Sequence, residues 1–188
     1  MRLFSTLCLY TALVMGANAA AAQVVDPALL TGDMRKLVVA SAPKDLPNVT
    51  YTAADGSDAR LMDHTGKVLL VNFWATWCAP CRHEMPMLSA LQSEFGGDDF
   101  QVVTISTGRD NPAKVARFFG DMGITNLPQN RDEGMRMARK MAVLGLPVVL
   151  VIDRQGREIA RMTGPATWDS PDSRALITAL IADQMPTQ

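Results

Sequence analysis

Apolar positions run along the chain in two alternating rhythms. "VLLVNFW", Val68 to Trp74, is apolar at all but one position and predicts a buried central strand. The period then changes: Cys81, Met85, Leu88, Leu91 and Phe95 share one helical stripe, which predicts a helix starting at or near Cys78. "FQVVTIS", Phe100 to Ser106, predicts a second buried strand. "DNPAKVARFFGDMG" predicts a helix with an Asn111 cap, Pro112 at a first position, and Val115, Phe118, Phe119 and Met122 on its apolar face. A shorter helix is predicted over Glu133 to Met141. "LPVVLVID" predicts a third strand, "RQGR" a turn, and "EIARMTG" a fourth strand. A last helix is predicted from near Ser170-Pro171, burying Leu176, Ile177, Leu180 and Ile181. Upstream, residues 48–64 predict a hairpin around Asp55-Gly56, and residues 26–47 a short helix and an extended lead-in. Strands and helices alternating in this way predict an α/β domain.

The first residues follow neither rhythm. Residues 3–25 carry no charge, Leu3 to Met15 is almost continuously apolar, and the small-residue run "GANAAAAQ" follows. A positive start, an apolar centre and A-x-A sites describe a secretory signal peptide. The same stretch is also just long enough for an uncleaved membrane anchor. Both alternatives put the rest of the chain outside the cytoplasm, with Arg2 inside. The expected organisation is a leader or anchor at 1–22, a lead-in at 23–47 and one domain at 48–185.

Composition narrows the function classes. The 188 residues are 48% hydrophobic with a net charge of −1, which predicts a packed core. Acids and bases are mixed rather than clustered, so no nucleic-acid surface is expected.

Export turns attention to the cysteines. Cys8 lies in the leader, too early and without the preceding small residues of a lipoprotein site, which leaves Cys78 and Cys81 in "WATWCAPCRHEMP". A disulfide across two residues removes little chain entropy, so a structural staple is a poor account of the pair. Zinc would need four protein ligands, and the chain has no second C-x-x-C and no H-x-x-x-H. A cysteine at a helix N-terminus, by contrast, is stabilised as a thiolate by unpaired N–H groups and the helix dipole. Cys81 would sit one turn in, on the same side but deeper, and Pro80 suits a first turn. The placement suits a redox pair.

W-C-A-P-C between a strand and a helix, with Leu146-Pro147 opening a later strand, resembles the thioredoxin fold. Glu84 and Pro86 in "CRHEMP", the preceding hairpin and the exported leader narrow the resemblance to the TlpA/ResA/CcmG group of exported thiol–disulfide oxidoreductases. The closing "GLPVVLVIDRQGREIARMTGPATWDS" is most similar to the TlpA-like branch, and the resemblance covers about residues 45–183. It implies a thioredoxin fold, with a central mixed sheet flanked by helices and an added N-terminal β-hairpin. It also implies catalytic Cys78, Cys81 and Glu84, and partner contacts through Trp77, Leu146 and Pro147. Thioredoxin carries a buried Asp where this chain has Asn72, which takes up no proton; in this group a Glu three residues past the second cysteine plays that part. A carboxylate in an apolar site has a raised pKa and can accept the Cys81 proton. The plain alternative for Glu84 is a solvated first-turn charge that complements the dipole. Pro147 matches the cis-proline facing the cysteine pair, and Leu146 the residue whose backbone pairs with an extended peptide. Trp77 would lie beside the exposed sulfur, its alternative being core packing, which is the expectation for Trp74.

The resemblance further implies no cofactor beyond the redox-active Cys78–Cys81 disulfide, and no metal. Met135, Met137 and Met141 are expected to fill core, His64 and His83 to be solvated, and Trp168 to pack the final helix. The expected protein is a monomeric periplasmic reductant recharged by a membrane thiol electron donor. Its implied clients are disulfide-bearing exported proteins, namely copper-site or cytochrome oxidase assembly factors, with apocytochrome c as the alternative. A metal-delivery protein of the Sco type would use C-x-x-x-C and a distant His, whereas here two residues separate the cysteines and neither His64 nor His83 lies in the right region, and no peroxidase P-x-x-x-T-x-x-C occurs.

Overall fold

The computed structural model describes residues 25–183. The leader with Cys8 lies outside the described residues, and no helix among those described is long and apolar enough to cross a membrane. The strands are β1 (Val38–Asp45), β2 (Tyr51–Thr52), β3 (Asp58–Ala59), β4 (Val68–Trp74), β5 (Phe100–Gly108), β6 (Asn130–Glu133), β7 (Val148–Ile152) and β8 (Arg157–Thr163). The helices are α1 (Ala79–Phe95), α2 (Pro112–Asp121), α3 (Arg136–Lys140) and α4 (Pro171–Asp183). All eight strands form one mixed sheet in the order β1-β8-β7-β4-β5-β6-β2-β3.

β4 lies in the middle of the sheet because it can be buried on both faces. It pairs parallel with β5 and antiparallel with β7, and every residue in it is buried. The pleat sends alternate side chains to opposite sides. Val68, Leu70 and Trp74 enter a cluster with α1, α2 and α4, whereas Leu69, Val71 and Phe73 enter one with Met137 and Met141 and the residues around the hairpin. Trp74 packs on the Phe118 and Phe119 rings at 5.0 and 5.6 Å, as core.

The hairpin forms where expected and extends the sheet at one end, through Thr52 opposite Arg131. At the other end the extended part of the lead-in becomes β1, paired antiparallel with β8. The helical part is two 3-10 turns, Pro27–Leu29 and Gly32–Lys36.

Four local expectations need correction. The helix predicted over Glu133 to Met141 is only α3, because Glu133 belongs to β6 and Gly134 and Met135 take positive φ (76° and 60°) before the helix starts. β6 itself, "NRDE", has no apolar signature. It is held by Asp132, which accepts from Thr107 Oγ1 at 3.2 Å, Met137 N–H at 3.0 Å and Ala138 N–H at 2.8 Å. Met122 and Met135 are partly exposed rather than core, because one caps the end of α2 and the other forms the left-handed turn. His64 is half-buried, with Nε2 3.1 Å from the Tyr51 hydroxyl; His83 is exposed.

Candidate active site

The site begins where β4 runs out. Cys78 caps α1 with an extended backbone, and its Sγ accepts the Cys81 N–H at 3.3 Å. Pro80 in the first turn needs no N–H partner. Cys78 and Cys81 form a disulfide with Cα atoms 5.3 Å apart, Cys81 wholly buried and Cys78 nearly so. The turn leading into the pair is pinned by Asp110, a residue with no signal in the sequence. Its carboxylate accepts from Thr76 N–H and Thr76 Oγ1, both at 2.6 Å, and from Ser106 Oγ at 2.9 Å. The β5–α2 connection thereby fixes the strand-to-helix turn.

Glu84 is the unusual group. It is 0% exposed, three residues past Cys81 on the same helix, so the two side chains are neighbours one turn apart. A solvated first-turn charge does not describe it. One oxygen, Oε1, accepts from the Ala166 N–H at 2.8 Å and from Trp168 Nε1–H at 2.9 Å. The other, Oε2, has no hydrogen-bond partner among the described residues. Burial raises the carboxyl to about 7, against the lowering pull of the Ala166 and Trp168 donors and the Lys36 charge. Its midpoint therefore lies near neutrality, where a proton can be taken or given.

Trp168 is fully buried as expected, and it also holds Glu84. A signal was available, because a buried indole N–H needs an acceptor. Asn72, at the position of thioredoxin's Asp, is buried on the same face as Leu70 and Trp74, and neither side-chain amide atom has a partner among the described residues.

The outer side of the pair is different in kind. Trp77 is 69% exposed and Leu144 97% exposed. They line a groove of about 420 Å³ together with Gly108, Arg109, Met135 and Leu146. The Leu146–Pro147 bond is cis, and Leu146 stands two residues before Val148, the first paired residue of β7. Trp77 and Leu146 thus share one groove wall-to-wall beside the cysteine-bearing turn.

The redoxin family profile matches residues 41–177. The chain belongs to the redoxin family. It is 35% identical over 146 residues to the thiol:disulfide interchange protein HelX of Rhodobacter capsulatus, covering 76% of this chain and 79% of that one. It is 29% identical over 127 residues to the thiol-disulfide oxidoreductase ResA of Bacillus subtilis, covering 68% and 70%. A solved DsbE-type thiol:disulfide interchange protein from Chlorobium tepidum superposes with a TM-score of 0.63 at 25% identity, over 74% of this chain and 96% of that one. The protein is therefore a thiol–disulfide oxidoreductase of the TlpA/ResA/CcmG kind with a thioredoxin fold, and Cys78–Cys81 is its redox-active disulfide.

Proposed function

We propose that this redoxin is a periplasmic reductant of disulfides in exported proteins. The observation that carries the proposal is the asymmetry of the pair: one sulfur at a helix N-terminus beside an exposed apolar groove, the other buried one turn from a carboxyl poised near 7. In the reduced state the Cys78 thiolate attacks one sulfur of a client disulfide. The client's other sulfur leaves as a thiolate and takes a proton from solvent, giving a mixed disulfide. Glu84 accepts the Cys81 proton, and the Cys81 thiolate attacks Cys78 Sγ. The client's second thiolate departs, and Cys78–Cys81 is left oxidised. Two electrons have moved to the client.

Trp77 and the groove take the apolar part of the docking peptide, and the backbone of Leu146, ahead of Pro147, offers it a strand edge. In an oxidising compartment a membrane dithiol must return the two electrons and become a disulfide itself. The resemblance to TlpA-like proteins supports copper-site or cytochrome oxidase assembly factors as clients. Cleavage of the leader leaves the enzyme free in the periplasm, and retention tethers it to the inner membrane.

Client trapping is the test. Cys81→Ser removes the resolving thiol, so clients should accumulate as mixed disulfides on Cys78, identifiable by mass spectrometry after a non-reducing gel. Apocytochrome c in the adducts would move the client assignment to cytochrome c maturation. An absence of adducts from reduced enzyme and periplasmic extract would end the reductant proposal. Stoichiometric, tight copper binding by the reduced wild type would favour metal delivery instead.

A further inference from the structure

The carboxylate of Glu84 is not held by its own helix. Both of its donors come from one short loop between β8 and α4, and that loop is itself held from outside. Ala166 and Trp168 turn inward to Oε1, while Thr167 between them turns outward. Thr167 donates its N–H to Asp33 Oδ2 at 2.9 Å and its Oγ1–H to the same oxygen at 3.0 Å. Lys36 lies 2.7 Å from Asp33 Oδ1 and donates to the Pro165 carbonyl at 3.1 Å. At the start of the loop the Gly164 N–H donates to the Pro147 carbonyl at 2.9 Å, with Gly164 at φ +89°, where a side chain would be strained. One loop thus touches the buried carboxylate, the proline that opens β7 and the 3-10 turn of the lead-in.

We propose that the Asp33–Lys36 pair of the lead-in sets the position of Glu84 through the Gly164–Trp168 loop, making Asp33, Thr167 and Trp168 positioning residues for the second, proton-coupled step of disulfide exchange. This rests on the role of Glu84 given above. The loop saturates Oε1 and thereby selects Oε2 as the oxygen left free to take the Cys81 proton. The two donors also favour the ionised carboxyl, so a loosened loop raises the midpoint of Glu84 above its present value near 7. Asp33 itself does not titrate in the working range. Lys36 and the Thr167 donors pull the Asp33 carboxyl down to about 2, so it stays charged. Lys36 is the charge acting on Glu84 from outside α1, and the buried polar groups of β4 and α4, Asn72 and Ser173, are uncharged.

The experiment follows release of glutathione from the Cys78–glutathione mixed disulfide of the full chain as a function of pH. Asp33→Ala and Thr167→Val change the clamp at the surface, and Thr167→Val keeps every charge. Trp168→Phe removes the inner donor, and Glu84→Gln is the reference. The expected result is a midpoint raised by about half to one pH unit in Asp33→Ala and Trp168→Phe, and by less in Thr167→Val, because a hydrogen bond to a charged acceptor is lost or misaligned. Asp33→Ala should change nothing further in the Glu84→Gln background, as a cycle isolates coupling. Unchanged midpoints in the three clamp variants, with Glu84→Gln altered, would overturn the proposal and leave the role of Glu84 standing. So would an equal effect of Asp33→Ala in both backgrounds, which marks a general structural role. A Glu84→Gln profile identical to wild type would bring down the role of Glu84 and the clamp with it.

Discussion

The two sides of the Cys78–Cys81 bond differ more than two sulfurs three residues apart would suggest. Outward lie a largely exposed indole, a fully exposed leucine and a groove with Leu146 on its wall. Inward lie Cys81, Glu84 and Trp168, none of which reaches solvent. On the proposed mechanism the outer side receives the partner and presents the attacking Cys78 to it, beside a groove lined by Trp77, Arg109 and Leu146. In the same mechanism the inner side manages the proton, since Cys81 and Glu84 are closed to anything large. The start of α1 separates the two by depth, because Trp77 just before the helix is exposed while Cys81 and Glu84 on its inward side are wholly buried.

The largest way to test that division is to remove the outer sulfur. Cys78→Ser should abolish reduction of oxidised glutathione with the fold retained, since Ser forms no thiolate at neutral pH; near-normal turnover by a folded variant would show that Cys78 is not the attacking group. Next comes the inner side. Glu84→Gln keeps shape and hydrogen-bond acceptance but not the titration, and should slow resolution of the mixed disulfide about a hundredfold, the usual scale of a general base. Attack by Cys78 should be nearly unaffected, and a comparable loss in both steps would erase the division.

The same residue predicts how stability depends on pH. Its folded pKa, about 7, lies above the ordinary 4.5, so the folded state holds the proton more tightly than the unfolded state. That contribution is fully present below pH 4.5 and is lost as pH rises through 7. The loss is about 3 kcal/mol between pH 4 and 8, at 1.36 kcal/mol per pKa unit. Denaturant unfolding of the oxidised protein should show this decline, and Glu84→Gln should flatten it. A decline of equal size in the variant would assign it elsewhere. Asp33, lowered to about 2, works in the opposite sense: its contribution is present above pH 3.8 and lost as pH falls through 2.

The smallest effect belongs to the groove. Trp77→Ala or Leu144→Ser should weaken reduction of a disulfide peptide with apolar flanks about three- to tenfold, and hardly change reduction of glutathione, as expected for a contact that orients a partner. Equal losses on both substrates would make the groove part of the chemistry rather than of recognition.

Most of the fold was legible because its signals are local. A seven-residue apolar run, a cysteine pair at a period change, an Asn-Pro helix start and an Asp-Gly turn each specify an element through backbone and side-chain preferences that need no distant partner. The two cysteines were legible for a related reason: a change of period puts Cys78 at a helix start with Cys81 one turn in, whereas Glu84 stood out only by its likeness to the Glu of the TlpA/ResA/CcmG group. β6 was not legible, because its burial comes from Asp132 satisfying two helix N–H groups and a threonine, not from apolar side chains. Nor could the sequence tell a buried Glu84 from a solvated one. Its carboxylate is held by Ala166 and Trp168, more than eighty residues along the chain, in a loop that Asp33 and Lys36 bond from far upstream. Asp110 beneath Thr76 is the same case. Chain pattern determined which groups could do the chemistry; only packing between distant segments decided the environment of each, because solvation and hydrogen bonding, which set a carboxyl's pKa, are properties of a place rather than of a residue type.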